Sequence, residues 1–330
     1  MLIQQLGVPA DTVVLDPFCG SGTTLTEAQQ AGHPAIGIDL NPIGCLISRV
    51  KTQPIPFGLA VAAEQVVAGA RRKTSATVPI IPNLTHWFEP AVQQGIARLL
   101  EEINEVSDTA IRDVLRAMLS SVLVRVSNQE SDTRYAAVAR NGSAEEVYAL
   151  FETAVQRFGR VGQPTGFPLP AVRVVEADIL TVTPAQLAAP VGLVITSPPY
   201  PNAYEYWLYH KYRMFWLGYD PLVVKAGEIG ARAHYFKKNA PTADHFLVQL
   251  RQLYALFAQV VVPGGYVCLV VGRSKIHGQV IDNAAFVRQA ATEAGFAEVA
   301  VIERRIAASR KSFNLAHAAI VHEHLLVFTH

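Results

Sequence analysis

Short apolar runs lie towards both ends of the chain. Residues 12–15 and AIGIDL, which ends at Asp39, are two of them, and after residue 171 come AVRVVEADI, VGLVIT, YVCLVVG and HEHLLVFTH. An apolar run of four to eight residues bounded by turn residues is typical of a buried strand. We therefore expect the two outer segments to supply the strands of one sheet.

Residues 53–170 have a helical pattern instead. Apolar residues recur three and four positions apart at Val92, Ile96, Leu99, Leu100 and Ile103, and again at Ile111, Val114, Leu115, Met118 and Val122. Ser143 and Glu146 have the spacing of a capping box ahead of a third helix. We expect a helical insertion that interrupts a discontinuous α/β domain made of residues 1–52 and 171–330.

Composition narrows the class of protein. Half of the 330 residues are hydrophobic, 17% are charged, and the net charge is +1, so no overall basic field marks a nucleic-acid partner. The three cysteines form no CxxC pair, and no signal peptide or membrane-length apolar run is present. A cytoplasmic protein with a large core and no membrane partner is expected.

A glycine-rich stretch, DPFCGSGT at residues 16–23, follows the first predicted strand. Gly20 and Gly22 permit a tight turn and a close approach of a ligand to the backbone. The stretch lacks the GK[ST] of a phosphate loop and the third glycine of GxGxxG. Asp39, at the end of the next strand, is placed to accept hydrogen bonds from ribose hydroxyls. The pattern indicates a nucleoside-containing cofactor that is not bound mainly through a pyrophosphate group. The alternative is an ordinary strand-to-helix turn without a ligand.

VGLVIT is followed at once by Ser197-Pro198-Pro199-Tyr200. This run resembles the catalytic signature of methyltransferases that act on exocyclic amines of nucleobases, and the resemblance implies such an amine as the target. An amine of this kind is a poor nucleophile, because its lone pair is conjugated into the ring. Two fixed acceptors on its hydrogens can aim that lone pair, and Ser197 with the carbonyl of Pro198 supplies them, since proline locks φ. Tyr200 offers a ring on which a flipped base can stack. The alternative is a polar turn at a sheet edge.

DPFCGSGTT, GIDLNP and TSPPY, in this order, resemble the S-adenosylmethionine-dependent methyltransferases that act on exocyclic amines of DNA bases. The resemblance covers about residues 1–52 and 171–330. It implies a Rossmann-like class I methyltransferase fold, with a mostly parallel seven-stranded sheet and helices on both faces. It also implies S-adenosyl-L-methionine as cofactor and DNA as partner, with a base flipped into the active site.

The resemblance assigns residues by position. Cofactor binding falls to Asp16, Phe18, Gly20, Ser21, Gly22, Thr23, Asp39 and Asp178. Catalysis falls to Ser197, Pro198, Pro199 and Tyr200. Serine before the prolines favours cytosine N4, in a site-specific enzyme of restriction-modification or a related defence system. Adenine N6 in DNA, an amino group of an RNA base, and a non-catalytic methyltransferase-like subunit remain alternatives. No Pro-Cys pair offers a thiolate for methylation at ring carbon.

The insertion departs from the plain arrangement of this family. It is the candidate substrate-recognition region. However, residues 51–170 carry twelve Lys or Arg and twelve Asp or Glu, whereas recognition of a phosphate backbone normally needs an excess of Lys and Arg. Further candidate substrate contacts are Asn202, Tyr204, Asp132 and Arg134. Residues 204–220 are expected to form a helical wall beside the catalytic turn.

Two expectations concern metals and assembly. His317, His322 and His324 have no cysteine companions, so no metal site is predicted. In the family a further helix usually precedes the first motif, where only Met1–Ala10 stand here. Three explanations stay open: the start is truncated, the helix comes from elsewhere in the chain, or a partner completes the pocket. A homo-oligomer or a partner subunit is therefore a candidate assembly.

Overall fold

The structure is a computed structural model. It describes residues 2–9, 11–131, 136–161, 169–201, 205–231, 234–235, 243–276, 279–305 and 322–330. The chain divides into two compact units. One contains Met1–Thr52, Pro168–Trp207 and Leu222–His330, and the other contains Gln53–Phe167 and Leu208–Pro221.

The first unit is built on a seven-stranded sheet. Its strands are β1 (Val13–Asp16), β2 (Ala35–Asp39), β3 (Val172–Glu176), β4 (Val191–Thr196), β5 (Val261–Gly272), β8 (Ala297–Arg305) and β9 (His322–Thr329), and β6 (Ser274–Ile276) and β7 (Gln279–Ile281) form a separate hairpin. The order is β3-β2-β1-β4-β5-β9-β8, with the first five strands parallel and β9 antiparallel to both its neighbours.

Helices flank this sheet. The helices of the first unit are α1 (Leu2–Gln5), α2 (Thr23–Gln30), α3 (Pro42–Thr52), α9 (Pro184–Leu187), α12 (Pro221–Gly227), α13 (Ala243–Val260) and α14 (Asn283–Glu293). Two of the boundaries between the units fall inside helices: one divides α10 (Tyr206–Tyr209) after Trp207, and the other separates Pro221 from the rest of α12.

Alternate residues of the strands face two separate cores. Leu15 belongs to the core that contains α13 and α14, where Phe246 and Val287 are buried. Its neighbour Val14 belongs to the core that contains α1 and α2, where Leu25 is buried. This alternation is the period of two of a strand, buried here on both sides. A mostly parallel sheet with helices on both faces confirms the predicted Rossmann-like fold class.

The sheet topology gathers the predicted motifs at one edge. β1, β2 and β4 are parallel neighbours, so their carboxyl ends point the same way. The segments that follow them begin after Asp16, Asp39 and Thr196. In open α/β sheets this edge, where the strand order reverses, is where ligands bind.

The second unit is helical. It contains α4 (Leu59–Arg72), α5 (Leu84–Trp87), α6 (Pro90–Asn104), α7 (Thr109–Val126), α8 (Ala144–Arg160) and α11 (Lys211–Trp216). Asp108 caps α7 by accepting the N–H groups of Ala110 and Ile111, and Ser143 Oγ caps α8 by accepting from Glu146 N–H. Such caps satisfy amide groups that have no partner inside the helix.

Leu208–Pro221 groups with the insertion, although the sequence pattern assigns all residues after 170 to the α/β domain. Its aromatic side chains explain this. Tyr212 and Trp216 each pack against the ring of Phe88, with centroids 5.7 Å apart. The Arg213 Nε donates to the Ser120 carbonyl at 3.1 Å. The apolar pattern of this segment indicates burial but does not say in which core.

Among the described residues, no helix is long and apolar enough to cross a membrane. The same part of the chain contains no group of three or more His, Cys, Asp or Glu residues placed to hold a metal ion.

Candidate active site

The loop between β1 and α2 requires glycine at two positions. Gly20 and Gly22 have φ of +49° and +77°, in the left-handed region that side chains disfavour. A Cβ on Gly22 would lie 2.7 Å from Ser48 Oγ, so this position is also closed by packing. A Cβ on Gly20 would meet nothing within 4 Å. The backbone at Gly20 therefore borders open space into which a ligand can fit.

Asp39 folds its carboxylate onto this loop. Oδ2 accepts from Gly20 N–H at 2.7 Å, and Oδ1 accepts from Asn41 N–H at 2.7 Å. Burial raises the pKa of Asp39, while these two hydrogen bonds act in the opposite direction. The residue is half-buried, and each oxygen keeps lone-pair capacity beyond its one N–H bond. Asp39 can therefore hold the loop and still accept hydrogen bonds from ribose hydroxyls.

Helix α3 also forms hydrogen bonds to the glycine loop, through two residues that the sequence interpretation missed. Ser48 Oγ donates to the Gly20 carbonyl at 2.8 Å, and Lys51 Nζ donates to the Ser21 carbonyl at 2.7 Å. Burial lowers the pKa of Lys51. The signal available in sequence was the three-residue spacing, which puts both side chains on one helix face.

Asp16 joins the glycine loop to the strand that carries the second motif. Its Oδ1 accepts from Thr196 Oγ1 at 2.7 Å and from Phe18 N–H at 3.1 Å, and Thr24 also bonds to the carboxylate. The side chain is 4% exposed, and burial raises its pKa to about 6 against these hydrogen bonds. The resemblance assigns Asp16 to cofactor binding, but in the structure its carboxylate is buried and accepts hydrogen bonds from protein groups.

The turn after β4 presents its residues in different ways. Ser197, which directly follows Thr196, is exposed, whereas Pro198 is buried and Pro199 half-buried. Tyr200 is 6% exposed, and its hydroxyl donates to the Val270 carbonyl of β5 at 3.2 Å. The ring of Tyr200, predicted to stack on a flipped base, packs here into the core shared with α13.

Four short segments and one helix line a small apolar cavity. Phe18 of the glycine loop, Leu180 after β3, Pro198 of the turn and Ile229 line it together with residues of α13. Its volume is about 10 Å³, at or below the smallest that holds one water. Asp178, which the resemblance assigns to cofactor binding, caps the short 3₁₀ helix Ile179–Thr181 by accepting from Leu180 N–H at 3.0 Å.

Other predicted residues have simpler places. Ser21 and Thr23 are exposed, and Thr23 begins α2. The four candidate substrate contacts and one of the three histidines lie outside the described residues; they are Asn202, Tyr204, Asp132, Arg134 and His317. His322 Nδ1 lies 2.8 Å from Glu303 Oε1 on the neighbouring strand.

The residues at this edge fit S-adenosylmethionine. Open space beside Gly20 suits a ligand chain close to the backbone, and Asp39 retains acceptor capacity for a ribose. The glycine loop would hold the methionine part next to the turn that begins at Ser197.

Comparison with known proteins points the same way. The N6/N4 methyltransferase family model, described as DNA methylase, matches residues 1–48. The Type II methyltransferase M.MvaI of Kocuria varians is 28% identical over 141 residues, which are 40% of this chain and 31% of that protein. The Type II methyltransferase M.MjaII of Methanocaldococcus jannaschii is 51% identical over 41 residues, 12% of this chain and 8% of that protein. The matches thus span less than a third of either relative.

A solved S-adenosylmethionine-dependent methyltransferase from Methanosarcina mazei aligns over 99% of this chain and 96% of its own, with 8% identity and a TM-score of 0.38. That score is too low to support a conclusion, so the fold rests on the sheet order described above. Motifs, family match and relatives agree that the matched parts of the chain are similar to DNA methyltransferases of the N6/N4 type.

Proposed function

We propose that the protein transfers a methyl group from S-adenosylmethionine to an exocyclic amino group of a DNA base, with cytosine N4 as the leading target. The hydrogen bond between Thr196 Oγ1 and Asp16 Oδ1, 2.7 Å long, is the main support. It joins the residue before Ser197 to the first residue of the glycine loop. An amine bound at the turn would therefore lie beside a methyl donor held by the loop.

Ser197 and Pro198 would prepare the amine. Ser197 Oγ accepts one amine hydrogen and the Pro198 carbonyl accepts the other, which draws the nitrogen towards a tetrahedral geometry and frees its lone pair. When bound, S-adenosylmethionine supplies the electrophilic methyl group. Because Ser197 is exposed, the proton that leaves the methylated amine can pass through its hydroxyl to water.

Tyr200 and Asp16 would hold these acceptors in place. The Tyr200 hydroxyl ties the end of the turn to β5, and the Asp16 carboxylate ties its start to the cofactor loop. A turn fixed at both ends, with two prolines inside it, loses little conformational freedom when the base binds.

The choice of cytosine as the proposed target rests on the residue before the prolines. A serine hydroxyl there is the choice that favours cytosine in the related enzymes, and adenine N6 is the second target that the experiment must separate. The helical insertion, residues 53–170, is the proposed recognition region, with Asp132 and Arg134 among its candidate contacts and Asn202 and Tyr204 following the turn.

Nucleoside mass spectrometry tests this proposal on DNA and RNA from cells that express the protein. We expect N4-methylcytosine in DNA with the wild type and at least a hundredfold less with Ser197→Ala, the loss typical of a catalytic hydrogen-bonding group. Thr292→Ala removes an exposed hydroxyl on α14, which carries no candidate site residue, and should leave methylation unchanged.

The outcomes separate the alternatives. N6-methyladenine in place of N4-methylcytosine keeps the mechanism and changes the base, and a methylated base in RNA alone moves the substrate to RNA. Full methylation by Ser197→Ala contradicts the role of the turn. Calorimetric titration with S-adenosylmethionine completes the test, because Ser197→Ala should retain cofactor binding and Asp39→Ala should lose it.

A further inference from the structure

One short segment, Glu228–Ala231 at the end of α12, contacts the candidate active site although no motif marks it. Glu228 is 9% exposed, and its two carboxylate oxygens accept from two successive backbone amides. Oε1 accepts from Tyr206 N–H at 2.9 Å, and Oε2 accepts from Trp207 N–H at 2.7 Å. A buried carboxylate with both oxygens bonded to backbone N–H groups is a strong, charge-assisted anchor.

The next two residues contact the catalytic turn itself. Ile229 lines the small cavity together with Phe18 and Pro198. Gly230 has φ of +71°, and a Cβ at this position would lie 2.7 Å from the Tyr200 carbonyl oxygen. Glycine therefore serves two needs here, a left-handed backbone and close contact with the turn.

These contacts fall on both sides of one stretch of chain. Gly230 packs against Tyr200 and the Pro201 nitrogen, and Glu228 holds Tyr206 and Trp207. Residues 202–204, which include the predicted substrate contacts Asn202 and Tyr204, lie between these two points in the sequence. The same segment thus anchors the chain immediately before and after them.

We propose that Glu228 is a positioning residue for methyl transfer, whose ionised carboxylate fixes the chain after the catalytic turn so that the target amine is aligned. The proposal rests on the function proposed above. Glu228 touches neither reacting atom, and its effect passes through the backbone of Tyr206 and Trp207. Loss of the anchor should therefore lower kcat and leave the affinity for S-adenosylmethionine nearly unchanged.

The surroundings of Glu228 make this anchor sensitive to pH. Burial raises the pKa of Glu228 to about 7, against its two backbone hydrogen bonds, and the nearby charges of Glu205 and Asp39 raise it further. Lys225, on the helix before it, lies 4.7 Å over the Trp207 ring. Only the ionised form offers four lone-pair sites and no donor, so the anchor should weaken as the pH falls below about 7.

The test measures kcat and hydrogen exchange for the wild type, Glu228→Gln and Glu228→Asp, with Asp282→Asn as control. Asp282 also accepts from two backbone amides, those of Ala284 and Ala285, but at the start of α14. At pH 8.5 we expect Glu228→Gln to lower kcat by about tenfold to a hundredfold, since a fixed geometry is worth this much, with less than about a threefold change in KM for the cofactor. Asp282→Asn should keep the wild-type kcat.

The pH profile separates positioning from general stability. As the pH falls from 8.5 to 6, the wild type should lose about nine-tenths of the part of its kcat that depends on ionised Glu228. Glu228→Gln has no such ionisation, so its deficit relative to the wild type should narrow over this range. Glu228→Asp, with two oxygens on a shorter side chain, should retain a pH dependence.

Exchange of the Tyr206 and Trp207 amides gives a readout that needs no activity. Both should exchange at least tenfold faster in Glu228→Gln, or in Glu228→Asp if the glutamine variant does not fold, and neither should change in Asp282→Asn. Unchanged exchange overturns the anchor, and faster exchange with an unchanged kcat and pH profile overturns the positioning role. Absence of methylation by the wild type overturns the proposed function instead, together with the catalytic part of this inference.

Discussion

At the scale of single residues, Asp16 links two motifs and carries a measurable energetic cost. Its carboxylate is buried among hydrogen-bond donors from Phe18, Thr24 and Thr196, and burial raises its pKa from 3.8 to about 6. A pKa that is higher in the folded protein means that the folded state favours the protonated form. The contribution of protonated Asp16 to the free energy of unfolding is therefore fully present below pH 3.8 and is lost as the pH rises through about 6.

Asp16→Asn should abolish this pH dependence. The difference between the pKa of Asp16 in the folded protein and its ordinary value corresponds to about 2 to 3 kcal/mol. Between pH 3.5 and 7, the free energy of unfolding of the wild type should therefore fall by that amount relative to that of Asp16→Asn. Urea unfolding of both proteins across this range measures the difference, in which the other titrating groups cancel. A difference that stays constant with pH would contradict the raised pKa.

Residue chemistry was predictable from sequence where the signal was local. The positive φ values of Gly20 and Gly22 agree with the turn predicted between strand and helix. The bond from Thr196 to Asp16 joins positions 180 residues apart, and the bond that Glu228 accepts from Trp207 is donated by a backbone amide. Side-chain identity in one sequence cannot specify either pairing, because only the folded chain brings the partners together.

At the scale of elements, periodic segments were predictable and their packing was not. The apolar repeat from Val92 to Ile103 predicts a helix, and α6 spans Pro90–Asn104. Residues 204–220 contain α10 and α11 in place of one helical wall, and Leu208–Pro221 belongs to the helical unit. A period shows which face of an element is buried, but the identity of the opposing surface depends on tertiary structure.

Two glycines of the helical unit offer a matched test of that packing. In α6, a Cβ on Gly95 would lie 2.8 Å from the Ala144 Cα, where α8 begins, whereas a Cβ on Gly159 of α8 would meet nothing within 4 Å. Gly95→Ala should therefore destabilise this unit by about 1 to 3 kcal/mol through overpacking. Gly159→Ala should be neutral or stabilise by up to about 1 kcal/mol through helix propensity.

Thermal and urea unfolding of the two variants check the close approach of α6 to the start of α8. Equal stabilities would contradict it, because the two substitutions add the same methyl group to a helix. A loss of stability in Gly159→Ala alone would mean that the tight contact is at Gly159 and not at Gly95.

At the scale of the whole molecule, the α/β unit is made of three chain segments whose ends lie close together. The Gln29 Nε2 donates to the Thr52 carbonyl at 3.1 Å and to the Pro170 carbonyl at 2.9 Å, so the chain leaves and re-enters this unit at one place. Trp207 and Lys225, on either side of the second departure, also touch. Both excursions can therefore be replaced by short flexible linkers without stretching the unit.

The two excursions should be removable together but not singly. Deleting residues 53–169 alone exposes the apolar side chains of residues 208–221, among which Tyr212, Met214 and Trp216 are buried in the intact protein. Each such side chain then loses the free energy of burial, about 1.5 to 3 kcal/mol. We expect that variant to aggregate. Replacing residues 208–221 as well should give a soluble protein that unfolds cooperatively and binds S-adenosylmethionine, which size-exclusion chromatography, calorimetry and titration can measure. If both variants are soluble, Leu208–Pro221 does not depend on the insertion. If neither variant is soluble, the α/β unit cannot fold without the insertion.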